Sequence, residues 1–186
     1  IYRRAGELVG AQNPLAVGDR LETDIMGAVA AGVPALHVLT GVHQARDVIR
    51  APRGQRPTYL AIDMRGLLEA HPAPKHHRDG TWTCGVSQVA KATRSGVLTL
   101  DDVELTEPVT ISIDSYRALA AAAWEYADGA GTPVTCPEIT VVDNEDPAGI
   151  VSQPEPVAAA DEDDFYDVAA DADKLPEPGA STLSLI

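Results

Sequence analysis

The feature that most narrows the fold is a set of turn signals in the first forty residues, which places two short apolar runs on either side of a small-residue helix. Pro14-Leu15-Ala16-Val17 reads as a buried strand, and Gly18 lets the backbone turn at its carboxyl end. Ile25-Met26-Gly27-Ala28-Val29-Ala30-Ala31 follows as a short helix whose small side chains let it lie close on a sheet. Gly32 suits a left-handed position after the last turn, and Val33-Pro34 stops the helix before the next strand, Ala35-Leu36-His37-Val38-Leu39. Strand, acidic loop, helix and strand in that order predict an α/β fold.

The acidic loop carries the functional signal. Val17-Gly18-Asp19-Arg20-Leu21-Glu22-Thr23-Asp24-Ile25 sets two carboxylates five residues apart where strand gives way to helix. Ligands of open α/β sheets bind beyond the carboxyl ends of the strands, and a carboxylate there meets a hard cation such as Mg²⁺ through oxygen. Asp19 at the strand tip is the candidate metal ligand. Asp24 is the candidate for a second ligand or a support to the first; its competing role is that of an acid complementing a helix N-terminus. Arg20 and Glu22 read as solvated loop charges, with Arg20 also a candidate substrate contact.

On these residues the chain resembles the haloacid dehalogenase (HAD) superfamily, in the branch of nitrophenylphosphatase, phosphoglycolate phosphatase and glycerol-3-phosphate phosphatase. The match runs through Gly18-Asp19-Arg20-Leu21-Glu22-Thr23-Asp24-Ile25, Ala31-Gly32-Val33, Val38-Leu39-Thr40-Gly41-Val42, Arg56-Pro57-Thr58-Tyr59 and Arg65-Gly66-Leu67-Leu68, over about residues 1–72. The resemblance implies a Rossmann-like core, a Mg²⁺ cofactor and transfer of a phosphoryl group from a small phosphorylated metabolite to an aspartate, followed by hydrolysis. It favours glycerol 3-phosphate or 2-phosphoglycolate as substrate.

The family's Asp-x-Asp nucleophile motif, its Ser or Thr and its Lys have no counterpart before Asp19. Lys75, Lys91 and Lys174 lack the family's setting, Asp161-Glu162-Asp163-Asp164 lies in a charge run without a strand before it, and Asp101-Asp102 lacks the motif's spacing and context. The chain opens at Ile1 in a helix expected to bury Ile1, Ala5 and Leu8. It therefore reads as a C-terminal fragment, with no catalytic residue of its own, no cap domain to read the substrate and no turnover alone. The alternative is a noncatalytic binding or assembly segment that keeps the HAD remnant as scaffold.

Composition bounds the partners. A net charge of −14 and a pI near 4.5 argue against nucleic acid and anionic membrane, which require a basic footprint. Asp143 to Glu177 holds twelve acids against one Lys, so most of the imbalance lies in the tail. Cys84 and Cys136, far apart and without neighbouring ligands, suggest free thiols in a reducing, cytoplasmic setting. Abundant Ala, and Arg in preference to Lys, suggest a high-GC bacterial source, in keeping with an actinobacterial branch. Homo-oligomer formation is left open.

Four segments result. Residues 1–72 form the partial HAD-like core, with a strand over 58–62 and a helix over 64–70 capped by Asp63. Residues 73–78 form a Pro- and His-containing linker, the His pair being solvent-facing. Residues 79–143 form a small α+β module resembling the extension of some actinobacterial relatives. In it 89–93 pairs with 97–100, a helix capped by Asp114 or Ser115 runs to about Ala127 with Tyr116, Leu119, Ala120, Ala123 and Trp124 on one stripe, and 138–142 closes as a strand. Trp82, Trp124 and Tyr126 read as core aromatics. Residues 144–186 are rich in acid, Pro and Ala, the composition of a disordered tail.

Overall fold

The computed structural model describes residues 2–8 and 10–144, so the acidic tail expected over 144–186 lies, apart from Asn144, outside the described residues. The first half is a parallel sheet of β1 (Ala16–Gly18), β2 (Ala35–Val38) and β3 (Tyr59–Ala61) in that spatial order. Its register sets Val17 beside Leu36 and Leu36 beside Tyr59. All four residues of β2 are buried, which explains why this central strand is a continuous apolar run except for His37.

Helix α1 (Tyr2–Leu8) corrects one expectation. Ala5 and Leu8 face solvent, and Tyr2 and Gly6 are the half-buried positions. The Tyr2 ring lies so close to Gly27 that a methyl there would meet its Cε2, and this contact chooses the buried face. The loop after β1 enters a π-type turn, Leu21–Ile25, that leads into α2 (Met26–Ala31). Gly32 ends α2 at φ 68°, as its position in the sequence requires. The sequence carries no sign of α3 (Ala45–Ile49), which is only five residues long; Asp47 Oδ2 caps it by accepting from Gln44 N–H at 2.9 Å. After β3 the chain makes a 3₁₀ segment, Met64–Leu68, in place of the expected α-helix, although Asp63 does cap it through Arg65 N–H at 2.8 Å.

In the second half an antiparallel sheet runs in sequence order through β4 (Lys75–His76), β5 (Trp82–Thr83), β6 (Ala90–Ala92), β7 (Leu98–Leu100) and β8 (Val103–Glu104). The expected linker thus supplies a paired edge strand, because Lys75 lies opposite Thr83 and His76 opposite Trp82. The β6–β7 hairpin forms where it was expected. Asp101 and Asp102 turn β7 into β8 with φ of 47° and 64°, a two-residue turn that tolerates short polar side chains in the left-handed region. β9 (Val109–Ser112) pairs in parallel with β10 (Ile139–Val142), and α4 (Ile113–Ala130) crosses between them. Its cap is Ser112, whose Oγ accepts from Ser115 N–H at 3.2 Å. Asp114 is committed elsewhere, accepting from Val86 N–H and from Arg117. Gly131, at φ 74°, ends the helix, and Gly129 stays inside it.

The boundary expected between residues 72 and 79 does not divide the core. One cluster of buried residues runs from Ala16 and Leu60 through Leu98 and Leu119 to Ile139. Tyr116, Leu119, Ala120 and Ala123 of α4 are fully buried, and burying Leu119 contributes about 2 kcal/mol. Trp124 Nε1–H donates to Val48 O at 3.0 Å, and the buried Arg117 donates twice to Leu60 O. Trp82, Trp124 and Tyr126 all pack against the same cluster. Among the described residues no helix is long and apolar enough to cross a membrane.

Candidate metal centre

The carboxyl ends of β1 and β2 bring together the acidic loop and the Thr40-Gly41-Val42 turn. Asp19 leaves the tip of β1, and its Oδ2 accepts from Val42 N–H at 2.6 Å. This bond, more than anything else, holds the Asp19 carboxyl below the usual range for Asp. The ionised form and its grip on Val42 are therefore complete above the ordinary Asp range and are lost as pH falls through the lowered value. The Asp19 main-chain oxygen is held as well, accepting from His43 N–H and from His37 Nε2–H, each at 3.2 Å.

Asp24 folds back on the loop. Its Oδ2 accepts from Arg20 N–H at 3.2 Å, and its Oδ1 from Thr23 Oγ1 at 3.3 Å. The same carboxylate rests on Gly18, where any Cβ would overlap it, just as a Cβ at Gly41 would overlap the Asp19 carboxylate. Each candidate ligand is thus seated against a glycine. Arg20 is exposed, and the bond it supplies here comes from its main chain. Glu22, also exposed, meets His43 Nε2 at 3.2 Å.

Two hard oxygen donors at a strand tip suit Mg²⁺, which retains several waters and takes few protein carboxylates. Among the described residues no three His, Cys, Asp or Glu side chains gather as a metal-holding group. Asp19, with one oxygen engaged, fits as one member of a larger ligand set. Asp24, with both oxygens engaged within the loop, fits better as the group that shapes the turn.

Sequence reasoning missed His37 and His43. A signal for His37 was present: it is the one polar residue in β2, and its register partner is Gly18, next to Asp19. It is fully buried, burial pushes its pKa down, and its Nδ1 has no partner. The cysteines are free, as expected, and burial pushes each thiol up to about 11.

A family model described as HAD-hydrolase-like matches residues 1–67. The strand–loop–helix–strand unit just described lies wholly within that match. The matched segment is 67 of the 186 residues, so the similarity to that family model is confined to this segment. The chain is also similar to the D-glycerol 3-phosphate phosphatase of Mycobacterium tuberculosis, with 40% identity over 111 residues, 60% of this chain and 30% of that protein. Solved structures of the glycerol phosphate phosphatase of that organism, one in complex with magnesium and one with calcium, are 30% and 26% identical. Each alignment covers 76% of this chain and 38% of the other, with TM-scores of 0.46 and 0.44. The chain thus spans less than a third of the curated relative's length.

Proposed function

We propose that this chain supplies the metal-bearing C-terminal portion of a Mg²⁺-dependent phosphomonoester hydrolase acting on a small phosphorylated metabolite, glycerol 3-phosphate before 2-phosphoglycolate. The observation that carries the reading is the seating of Asp19: ionised, at the carboxyl end of a parallel strand, with its backbone and one carboxylate oxygen held and the other oxygen outside the bonds that hold it. The 40% identity to a glycerol 3-phosphate phosphatase supports the substrate class.

In this reading Asp19 offers Oδ1 to the cation while Val42 N–H fixes the carboxylate plane. Asp24 keeps the loop in shape through Arg20 N–H, and the exposed Arg20 side chain is available to a phosphate. Bound Mg²⁺ supplies charge stabilisation to the transferring phosphoryl group. The aspartate nucleophile implied by the family belongs to a segment outside this sequence.

The test joins the preceding segment of the Mycobacterium tuberculosis relative to Ile1 and follows phosphate release from the two substrates with Mg²⁺. Asp19→Asn is expected to lower kcat/KM at least about a hundredfold, and Asp24→Asn less. Undiminished Mg²⁺-dependent turnover in Asp19→Asn would remove the metal assignment. Turnover by the 186-residue chain alone would show that the nucleophile had been misplaced.

A further inference from the structure

The amide of Leu21 opens the π-type turn, and the first amides of a helical segment have no partner inside it. Arg20, the residue before it, makes no side-chain cap. The partner comes from across the loop: Leu21 N–H donates to His43 Nδ1 at 3.2 Å. An imidazole nitrogen accepts only where it carries no proton, so the proton of neutral His43 is on Nε2. There Glu22 Oε1 stands 3.2 Å away and selects that tautomer.

The same residue grips the other end of the loop. His43 N–H donates to Asp19 O, next to the bond from Val42 N–H to Asp19 Oδ2. Only 17% of the His43 side chain is exposed, so the ring has a fixed seat. Asp24 in turn reaches Arg20 N–H, one peptide before the amide that His43 holds. One residue therefore links the two segments, through its main-chain N–H to Asp19 and through its ring to the turn that carries Asp24.

We propose that His43 is a positioning residue, a cap supplied from outside the turn that fixes residues 19–24 in the conformation presenting Asp19 at the tip of β1. Its purpose rests on the metal reading above; its geometry does not. Asn places its Oδ1 two bonds from Cβ, as Nδ1 is, and keeps the acceptor for Leu21. Gln carries its oxygen one bond further, toward Glu22, and Leu has none.

The 186-residue chain is prepared as wild type, His43→Asn, His43→Gln and His43→Leu, with folding checked by circular dichroism. Leu21 amide exchange is followed by NMR, and Mn²⁺ affinity by electron paramagnetic resonance. Exchange at Leu21 is expected to rise about tenfold in the Gln and Leu variants and to return to the wild-type rate in Asn. The Mn²⁺ dissociation constant is expected to rise about tenfold in the same two variants and to recover in Asn. If the Leu variant does not fold, Asn against Gln decides. Unchanged Leu21 exchange in all variants, or Asn behaving as Gln does, overturns the proposal. Where the wild type binds Mn²⁺, equal affinity in every variant overturns it while leaving the metal reading in place. A wild type that binds no Mn²⁺ but shows the expected exchange pattern upholds the positioning role and removes the metal reading.

Discussion

Two glycines decide how closely the acidic loop packs, and neither acts through an unusual backbone angle. Gly18 and Gly41 are absent from the positive-φ positions; what they supply is space for the carboxylates of Asp24 and Asp19. Gly41→Ala must push Asp19 off Val42 N–H. It is expected to destabilise the fold by about 1–3 kcal/mol in urea melts, and to weaken Mn²⁺ binding by about tenfold; unchanged affinity would mean that Asp19 does not bind metal from this position. The cysteines make a second residue-scale prediction. With both thiols pushed up to about 11, the thiolate fraction at pH 8 is on the order of a thousandth. Cys84 and Cys136 should react slowly with a disulfide reagent in the native chain and promptly in denaturant. Fast native labelling of either would contradict its buried placement. The sequence announced Asp19 through the Gly-Asp turn, but His43 could not be read there, because a His in a polar loop is unremarkable until Leu21, 22 residues away in sequence, is beside it.

At the scale of elements, what the sequence made legible was whatever local chemistry decides. The turn at Gly32, the cap at Asp63 and the β6–β7 hairpin each follow from one or two residues acting on their own neighbourhood. Elements decided by tertiary contact were not legible. β4 is a strand only because Trp82 and Thr83 offer it a partner, and the buried face of α1 is chosen by Gly27 rather than by its own apolar residues. The cap of α4 lies between these cases. Ser112, Asp114 and Ser115 are all plausible caps by type, and Asp114 loses the role because Val86 N–H and Arg117 claim its two oxygens. Ser112→Ala should therefore cost about 1 kcal/mol, as loss of a true N-cap does. Glu107→Ala, at an exposed loop position, is the control. A melt unaffected by Ser112→Ala would place the cap elsewhere.

The whole molecule turns on α4, and on one side chain of it in particular. Arg117 is buried, pairs with the equally buried Asp114 at 2.9 Å, and uses three further donors on Leu60 O and on His71 Nδ1 at 3.2 Å. Leu60 lies in β3 of the parallel sheet, so a charge from the C-terminal segment closes main-chain valences of the N-terminal one. A buried pair contributes little net stability over an apolar replacement of both partners, but removing one partner leaves a charge unpaired in the interior. Arg117→Met should accordingly destabilise by about 3–5 kcal/mol. Because the core is continuous across residues 72–79, the loss should appear as one earlier transition rather than as the melting of one segment. Trp82 and Trp124 fluorescence and far-ultraviolet circular dichroism should shift together in urea. Two separated transitions, with the parallel sheet surviving the first, would show that residues 1–72 and 79–143 fold independently and that Arg117 only decorates the seam between them.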